Sequence, residues 1–108
     1  MATVDDFAKI EMKIGTIVTA DYIEGADKLL KLLVDFGEEA PRQILSGIRE
    51  YYEPEQLIGK QCPFITNLDP RTMRGLTSYG MILAVGLESG GAVLLHPDSH
   101  VPNGSKLR

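Results

Sequence analysis

The sequence predicts a small all-β barrel, and three observations lead to this fold class. Apolar and polar residues alternate with a period of two over several stretches, which is typical of strands with one buried face. Gly, Pro and Asp residues that favour turns separate these stretches. Helical signals are confined to two short segments, one near the N-terminus and one in the middle of the chain. The expected order is therefore three strands, a short helix and then further strands.

Length and composition limit the class of protein. A chain of 108 residues has room for one core, and no linker or repeat divides it, so we expect one domain over residues 1–108. No apolar run reaches the ~20 residues of a membrane-spanning helix, and the N-terminus lacks the basic and then apolar pattern of a secretory signal. The single cysteine, Cys62, excludes an internal disulfide. We expect a cytoplasmic protein that binds no membrane.

The first half of the chain predicts a helix and three strands. Asp5 and Asp6 favour a helix start, which indicates a short helix over residues 4–9. A long strand over residues 11–23 follows, with a bend or bulge at Gly15. A loop at 37–41 separates strands over 29–36 and 42–48. The second strand has a wholly apolar face that belongs in the core: Leu30, Leu32, Val34 and Phe36.

The second half predicts another helix and the closing strands. Residues 53–59 have Pro54 at the start and Gly59 at the end, as short helices often do. A fourth strand over 61–68 contains Pro63, which lacks a ladder donor and therefore indicates an edge or a bulge. We expect a long loop over 69–78, a fifth strand over 79–87 and a short sixth strand, paired with the fifth, over 92–96.

This order matches a five-stranded oligonucleotide-binding (OB) barrel with a short helix between strands 3 and 4 and small terminal extensions. The pattern alone leaves other small barrels open.

Charge is unevenly distributed along the chain. The net charge of −4 argues against a nucleic-acid partner, since phosphate binding needs an electropositive surface. Residues 1–55 hold 6 Lys/Arg and 12 Asp/Glu, however, whereas residues 56–108 hold 5 and 3. The negative charge therefore lies in the first half, and a local basic site on the second half stays possible.

The residues that commonly carry catalysis or bind metals form no such pattern here. His96 and His100 are four positions apart, but Pro97 places them in a loop and no third ligand accompanies them, so we expect surface histidines and no metal. Cys62 has no His or acid at motif spacing and is expected in the core. No phosphate-binding glycine loop or nucleophile elbow occurs. The sequence predicts a protein that is not an enzyme and needs no cofactor.

The segment 69–78 is the strongest candidate for a binding site. It carries Arg71 and Arg74 with a single acid, Asp69. Arginine can hold a phosphate through two hydrogen bonds, and loops between strands carry the ligand contacts of OB barrels. The alternative is that both arginines are ordinary solvated side chains, and composition alone favours that alternative.

Short sequence blocks at matching spacing extend over nearly the whole chain. They include Lys13-Ile14-Gly15, Ala26-Asp27-Lys28-Leu29, Asn67-Leu68 with Pro70-Arg71, Arg74-Gly75 and Ser78-Tyr79-Gly80-Met81. In this order the chain resembles the tRNA-binding domain family. That family comprises the C-terminal domain of methionyl-tRNA synthetase and a free-standing structure-specific tRNA-binding protein. Related members include a bacterial export chaperone.

The resemblance implies a non-catalytic homodimer that recognises folded tRNA by shape, with an aminoacyl-tRNA synthetase as a possible partner. Apolar residues in segments 1–10 and 92–108 also favour pairing. The alternative function is a chaperone-like peptide binder of the same fold. A start at Met1 and an end at Arg108 favour the free-standing form over a synthetase appendix.

The resemblance also assigns tRNA contacts to particular residues. Three of these residues have a structural alternative. Met81 could be a core residue, and Asn67 and Ser78 could cap the loop by hydrogen bonds to its backbone. Lys31 and Arg42 are expected on neighbouring strands that form the binding face. The implied tRNA-binding residues are Lys31, Arg42, Asn67, Arg71, Arg74, Ser78 and Met81.

Overall fold

The computed structural model describes all residues from 1 to 108, which form two short helices and nine strands. Their order and bounds are α1 (Val4–Ala8), β1 (Met12–Tyr22), β2 (Leu30–Asp35), β3 (Arg42–Ser46), α2 (Pro54–Leu57), β4 (Gln61–Ile65), β5 (Arg71–Met73), β6 (Leu76–Ser78), β7 (Met81–Ile82), β8 (Ala84–Gly86) and β9 (Ala92–Leu94).

Five antiparallel strands form the barrel, in the order β3-β2-β1-β4-β7. The two ends of this sheet meet where the Tyr79 N–H donates to the Gln43 carbonyl at 2.9 Å and the Gln43 side chain donates to the Thr77 carbonyl at 2.8 Å. The barrel is therefore nearly closed, with α2 between β3 and β4. This confirms the predicted all-β OB class and the position of the helix.

The inward face of β2 forms the centre of the core, as the alternating pattern predicts. Leu30, Leu32 and Val34 are fully buried and Phe36 is 4% exposed. The ring of Phe64 from β4 meets the Phe36 ring edge to face, with centroids 5.3 Å apart. Burial of each large apolar side chain stabilises the fold by roughly 1.5–3 kcal/mol.

The bulge in β1 lies beyond the glycine at which it was expected. The register against β2 shifts between Ile17 and Thr19, whereas Gly15 pairs regularly with Cys62 of β4. Gly15 is needed for a different reason: a Cβ there would lie 2.7 Å from the Phe36 ring. The absence of a side chain lets β1 pass directly over the core aromatic.

Pro63 lies in an internal strand and not at an edge, because β4 runs between β1 and β7. The ladder between β4 and β7 includes only the pairs Phe64–Ile82 and Ile65–Met81. At the next position Leu83 donates to the Pro63 carbonyl at 3.1 Å, but Pro63 has no N–H to return. The predicted fifth strand is divided at this point into β7 and β8, and β8 pairs with β9 as expected.

Residues 69–78 were expected to form a loop, but most of them form a hairpin from β5 and β6. Its two-residue turn consists of Arg74 at φ 53° and Gly75 at φ 77°. Two successive positive φ angles are the pattern of a type I′ turn, whose twist matches that of the flanking strands. An arginine in the first of these positions is unusual, which is why the sequence did not predict the hairpin.

The C-terminal segment pairs with the start of β1, which extends beyond β2. The Ile14 N–H donates to the Ser105 carbonyl and the Leu107 N–H donates to the Met12 carbonyl, both at 2.9 Å. Helix α1 buries none of its residues. No helix in the structure has the length and apolar character to cross a membrane.

Candidate functional site

The β5–β6 hairpin packs against the outer face of β3. Leu45 points outward from β3 yet is only 5% exposed, because Met73 and Leu76 of the hairpin cover it together with Ile23 and Ala26. Ile23 and Ala26 come from the β1–β2 connection, residues 23–29. The β1–β2 connection, the outer face of β2 and β3 and the hairpin therefore meet in one region, which we call the OB face. OB barrels bind their ligands in this region.

Three of the positively charged residues expected to bind tRNA lie on the OB face and form no ion pair. Arg71 is exposed on β5, Arg74 is exposed in the turn and Lys31 is partly exposed on the outer side of β2. The chain contains three ion pairs within 4.0 Å, and these join Lys9 to Asp6, Lys13 to Glu11 and Arg42 to Glu38. Lys31, Arg71 and Arg74 therefore have free guanidinium or ammonium groups that can bind phosphates.

Arg42, by contrast, lies on the opposite side of the sheet from Lys31. It pairs with inward-facing Val34, and its guanidinium lies 5.3 Å from the centroid of the Phe36 ring at the end of the barrel. Nη1 donates to the Thr66 carbonyl at 2.7 Å and to the Tyr79 carbonyl at 3.1 Å. The expectation that Lys31 and Arg42 share one face is wrong, since residues on neighbouring strands share a face only when their register matches.

The remaining donors of Arg42 are directed at one carboxylate. Nε and Nη2 donate to the two Glu38 oxygens at 3.2 and 2.6 Å. Together with the two carbonyl contacts, this leaves little of the guanidinium free for a ligand. Arg42 joins the 37–41 loop, the end of β4 and the segment before β7.

Ser78 is 4% exposed and joins two strands through its hydroxyl. Its Oγ accepts from the Leu45 N–H and donates to the Gly80 carbonyl, both at 3.0 Å. The Ser78 side chain thus replaces a backbone hydrogen bond between β3 and the end of the hairpin. This contact holds the hairpin against the barrel.

Asn67 holds the N-terminal segment against the end of β4. Its Oδ1 accepts from the Glu11 N–H at 2.8 Å and its Nδ2 donates to the Lys9 carbonyl at 2.9 Å. Thr66 beside it donates to the Glu11 carboxylate at 2.7 Å. This hydrogen bond, assisted by the charge of Lys13, lowers the pKa of Glu11.

Met81 is 43% exposed on β7 and is therefore not a core residue. It lines a small cavity of about 60 Å³ with Leu68, Met73 and Arg71. The structure thus brings Met81 together with Arg71, while Arg74 lies at the tip of the same hairpin.

Two features of this region were not identified from the sequence. Tyr79, 46% exposed, lines a larger cavity of about 560 Å³ beside Gln43 and Leu68. Its position inside the Ser78-Tyr79-Gly80-Met81 block was the available signal. Arg49 donates to the Ala26 carbonyl at 2.8 Å and lies over the Tyr22 ring at 4.6 Å, which fixes the β1–β2 connection. No sequence pattern indicates that contact.

The Tyr22 hydroxyl in turn donates to Glu53 at 2.6 Å. This hydrogen bond to a carboxylate raises the pKa of Tyr22.

Cys62 and His96 lie on another side of the barrel. Cys62 is fully buried, and burial raises the pKa of its thiol to about 11, so it is not a thiolate at neutral pH. His96 Nδ1 lies 2.7 Å from the Gln61 carbonyl and 3.6 Å from the Cys62 sulfur. No three His, Cys, Asp or Glu side chains come together as a possible metal site.

Comparison with known proteins identifies two kinds of relative: long proteins that match this chain over one part of their length, and short proteins that match it over nearly their whole length. A family model described as "Putative tRNA binding domain" matches residues 12–106. A methionine–tRNA ligase of Methanococcoides burtonii is 49% identical over 105 residues, 97% of this chain and 15% of the ligase. The corresponding ligase of Deinococcus radiodurans is 44% identical over 108 residues, 100% of this chain and 16% of the ligase. The chain thus spans about 15% of the length of such relatives.

Two solved structures cover the chain completely. A protein from Pyrococcus horikoshii related to methionyl-tRNA synthetase superposes with a TM-score of 0.94 at 38% identity, covering 100% of this chain and 98% of its own. The chaperone CsaA of Bacillus anthracis superposes with a TM-score of 0.90 at 34% identity, covering 100% of this chain and 99% of its own.

Proposed function

Because the chain belongs to the tRNA-binding domain family, we propose that residues 1–108 act as one domain that binds folded tRNA and catalyses no reaction. The observation that carries this proposal is the set of unpaired cations on the OB face, Lys31, Arg71 and Arg74. Folded RNA presents regularly spaced phosphates, and unpaired guanidinium groups on a fixed scaffold bind them with little loss of side-chain entropy. Recognition then follows the shape of the RNA.

The seven expected site residues divide into two groups in this proposal. Arg71, Arg74, Lys31 and Met81 contact the RNA, because their side chains are accessible on the OB face. Arg42, Asn67 and Ser78 act as positioning residues, because their polar atoms hold the hairpin, the barrel end and the N-terminal segment in place. Loss of a contact residue weakens phosphate binding directly, whereas loss of a positioning residue acts through the shape of the site.

We propose in addition that the protein works as a homodimer in the cytoplasm. The terminal segments expose apolar side chains around an open groove of about 710 Å³, formed by Val4, Phe7, Ile10 and Leu107. The β8–β9 hairpin exposes Val85, Leu87, Val93 and Leu95. Apolar surface of this extent is normally covered, and a two-fold axis would cover the same patch on both subunits.

Pairing would also increase affinity for a large ligand. Two OB faces on one dimer allow one tRNA to contact cations of both subunits, so the second contact profits from a high effective concentration. An aminoacyl-tRNA synthetase, as partner or as the parent chain, is proposed on the basis of the methionine–tRNA ligases that contain this domain.

The direct test is filter binding of the purified protein to unfractionated tRNA over a range of salt concentrations. We expect saturable retention with an affinity that falls linearly on a log–log plot against salt, because bound cations release counterions. Retention no greater than that of bovine serum albumin at low salt would overturn the proposed function.

A second candidate function is chaperone-like binding of unfolded polypeptide, favoured by the similarity to CsaA over the whole chain. A parallel experiment with reduced, unfolded lactalbumin distinguishes the two. Tight binding of the polypeptide together with no binding of tRNA would establish the second function in place of the first.

A further inference from the structure

A cavity of about 560 Å³ lies beside the OB face, at the end of the barrel where β3 approaches residues 77–79. Its wall combines three kinds of group: an exposed aromatic ring from Tyr79, apolar side chains from Leu33 and Leu68, and the amide of Gln43. None of these residues has a role in the tRNA contacts described above. The cavity therefore needs an explanation of its own.

The ring of Tyr79 is presented by a backbone that is held on both sides. The Tyr79 N–H donates to the Gln43 carbonyl at 2.9 Å, and the Tyr79 carbonyl accepts from Arg42 Nη1 at 3.1 Å. The residue is nevertheless 46% exposed, and its hydroxyl makes no hydrogen bond within the chain. A fixed backbone and an open ring face are what a stacking platform requires.

The polar atoms of the cavity favour a neutral ligand with hydrogen-bond donors at its edge. Gln43 Nε2 donates to the Thr77 carbonyl at 2.8 Å, which orients the amide and leaves its oxygen without a partner. The charged groups in the wall, Arg42 and Glu38, neutralise each other at 2.6 Å. A planar heterocycle with ring or exocyclic N–H groups matches this combination of apolar wall, aromatic face and free acceptor.

The cavity adjoins the basic part of the OB face. Leu68 lines both this cavity and the smaller one that Arg71 lines, so the unpaired guanidinium belongs to the neighbouring cavity. A nucleotide carries a neutral planar base and an anionic phosphate, which match an aromatic cavity with a cation in the adjoining one. A polypeptide segment would not require a cation beside an aromatic wall.

We propose that the cavity receives one unstacked nucleobase of the bound RNA, stacked on Tyr79, while Arg71 holds a neighbouring phosphate. The inference rests on the proposed tRNA-binding function and adds a base-binding subsite to it. Unstacked bases in the loops of a folded RNA are the usual targets of aromatic side chains. The contact is tolerant of sequence, because every base has a π-face.

The test uses the full chain with substitutions at Tyr79 and unfractionated tRNA as the probe. Tyr79→Ala is expected to lower tRNA affinity by about tenfold with an unchanged slope of log K against log salt, since stacking releases no counterions. Tyr79→Phe keeps the ring and is expected to bind within about twofold of the wild type. Tyr51→Ala is the matched control, because Tyr51 is also 46% exposed and does not line the cavity.

A fluorescence measurement tests stacking separately from affinity. The chain contains no tryptophan, so Tyr79→Trp introduces a single reporter at the proposed subsite. Stacking of a base is expected to quench its emission when tRNA is added, whereas heparin, a polyanion without bases, leaves the emission nearly unchanged. This pair of probes also covers the case in which Tyr79→Ala does not fold.

The outcomes separate this inference from the function on which it rests. Unchanged tRNA affinity in Tyr79→Ala, in a protein whose Arg71→Ala variant is weakened, would overturn the base subsite and leave the tRNA-binding function intact. Equal quenching by heparin, or quenching by unfolded lactalbumin alone, would likewise overturn the subsite. Absence of tRNA binding in the wild type would overturn both.

Discussion

The amide oxygen of Asn67 accepts the N–H of Glu11 at 2.8 Å across 56 positions of sequence. The same side chain donates to the Lys9 carbonyl at 2.9 Å, so one residue at the exit of β4 holds the segment between α1 and β1. Asn67 thereby connects the start of the β5–β6 hairpin segment with the apolar N-terminal groove. The proposed RNA site and the proposed dimer interface share this connection.

The first prediction concerns the substitution of Asn67. Asn67→Ala is expected to lower the free energy of unfolding by about 1 kcal/mol, because two hydrogen bonds are lost but water can reach the freed backbone groups. Urea denaturation followed by circular dichroism measures the change. Ser89→Ala, in an exposed turn where the serine side chain makes no hydrogen bond within the chain, is the control and is expected to change stability by less than about 0.5 kcal/mol. Equal stabilities of the two variants would contradict the structural role of Asn67.

The second prediction concerns the cations of the hairpin. Arg71→Ala and Arg74→Ala are each expected to weaken tRNA binding and to reduce the slope of log K against log salt by about one unit or less, since one phosphate partner is lost. Filter binding at several salt concentrations provides both quantities. Folding should change by less than about 0.5 kcal/mol, because both side chains are exposed.

Lys60→Ala is the matched control for these arginines, because Lys60 is also exposed and without an ion pair but lines a different cavity, with His96 and His100. Its tRNA affinity and salt slope are expected to equal those of the wild type. If both arginine variants retain the wild-type affinity and slope, the hairpin is not the phosphate-binding site.

The third prediction separates Arg42 from the contact residues. Arg42→Ala removes four hydrogen bonds at the end of the barrel and leaves two carbonyls and the Glu38 carboxylate without their donor. We expect a loss of about 2–4 kcal/mol in the free energy of unfolding, measured with urea. Arg42→Lys keeps the charge but not the branched set of donors, and is expected to recover only part of the loss. A fully stable Arg42→Ala variant would contradict the positioning role.

The sequence predicts a structural feature well where interactions between residues close in the sequence determine that feature. The apolar face of β2 follows from alternation alone, because residues two apart on a strand share one face. The position of Arg42 does not follow from alternation. The face of the sheet on which Arg42 lies depends on the register between β2 and β3, and the residue pattern of one strand cannot specify that register. Lys31 and Arg42 were for that reason expected on one binding face, although they lie on opposite faces of the sheet.

The hairpin shows a second limit of local reasoning. A type I′ turn is normally signalled by Asn-Gly or Asp-Gly, and here Arg74 occupies the first position at φ 53°. The cost of this backbone conformation is offset by tertiary packing of Met73 and Leu76 on Leu45. The residue content of segment 69–78, together with the family resemblance, identified the arginines, but only the packing explains why they are held on a rigid hairpin.

The fourth prediction follows from the raised pKa of Cys62, which burial brings to about 11. Between about pH 8.5 and this value the unfolded thiol releases its proton and the folded one does not, so stability falls as pH rises through this range. The native thiol is also expected to react with Ellman's reagent far more slowly at pH 8 than the thiol of the urea-unfolded chain. Stoichiometric labelling of the native protein within seconds would contradict the burial of Cys62.

The last prediction tests the proposed dimer and its contribution to RNA binding. Leu107 lies in the terminal groove with Phe7 and Ile10, and its N–H donates to the carbonyl of Met12 at the start of β1. Leu107→Asp would place a charge in an apolar interface without removing that backbone hydrogen bond. The expected result is a folded monomer in light scattering that has lost most of its tRNA affinity, because the second OB face no longer contributes. Ile58→Asp, 54% exposed directly after α2, provides a control for the same apolar-to-acidic change outside both apolar surfaces. A wild-type protein that is monomeric at micromolar concentration and still binds tRNA would refute pairing as part of the mechanism.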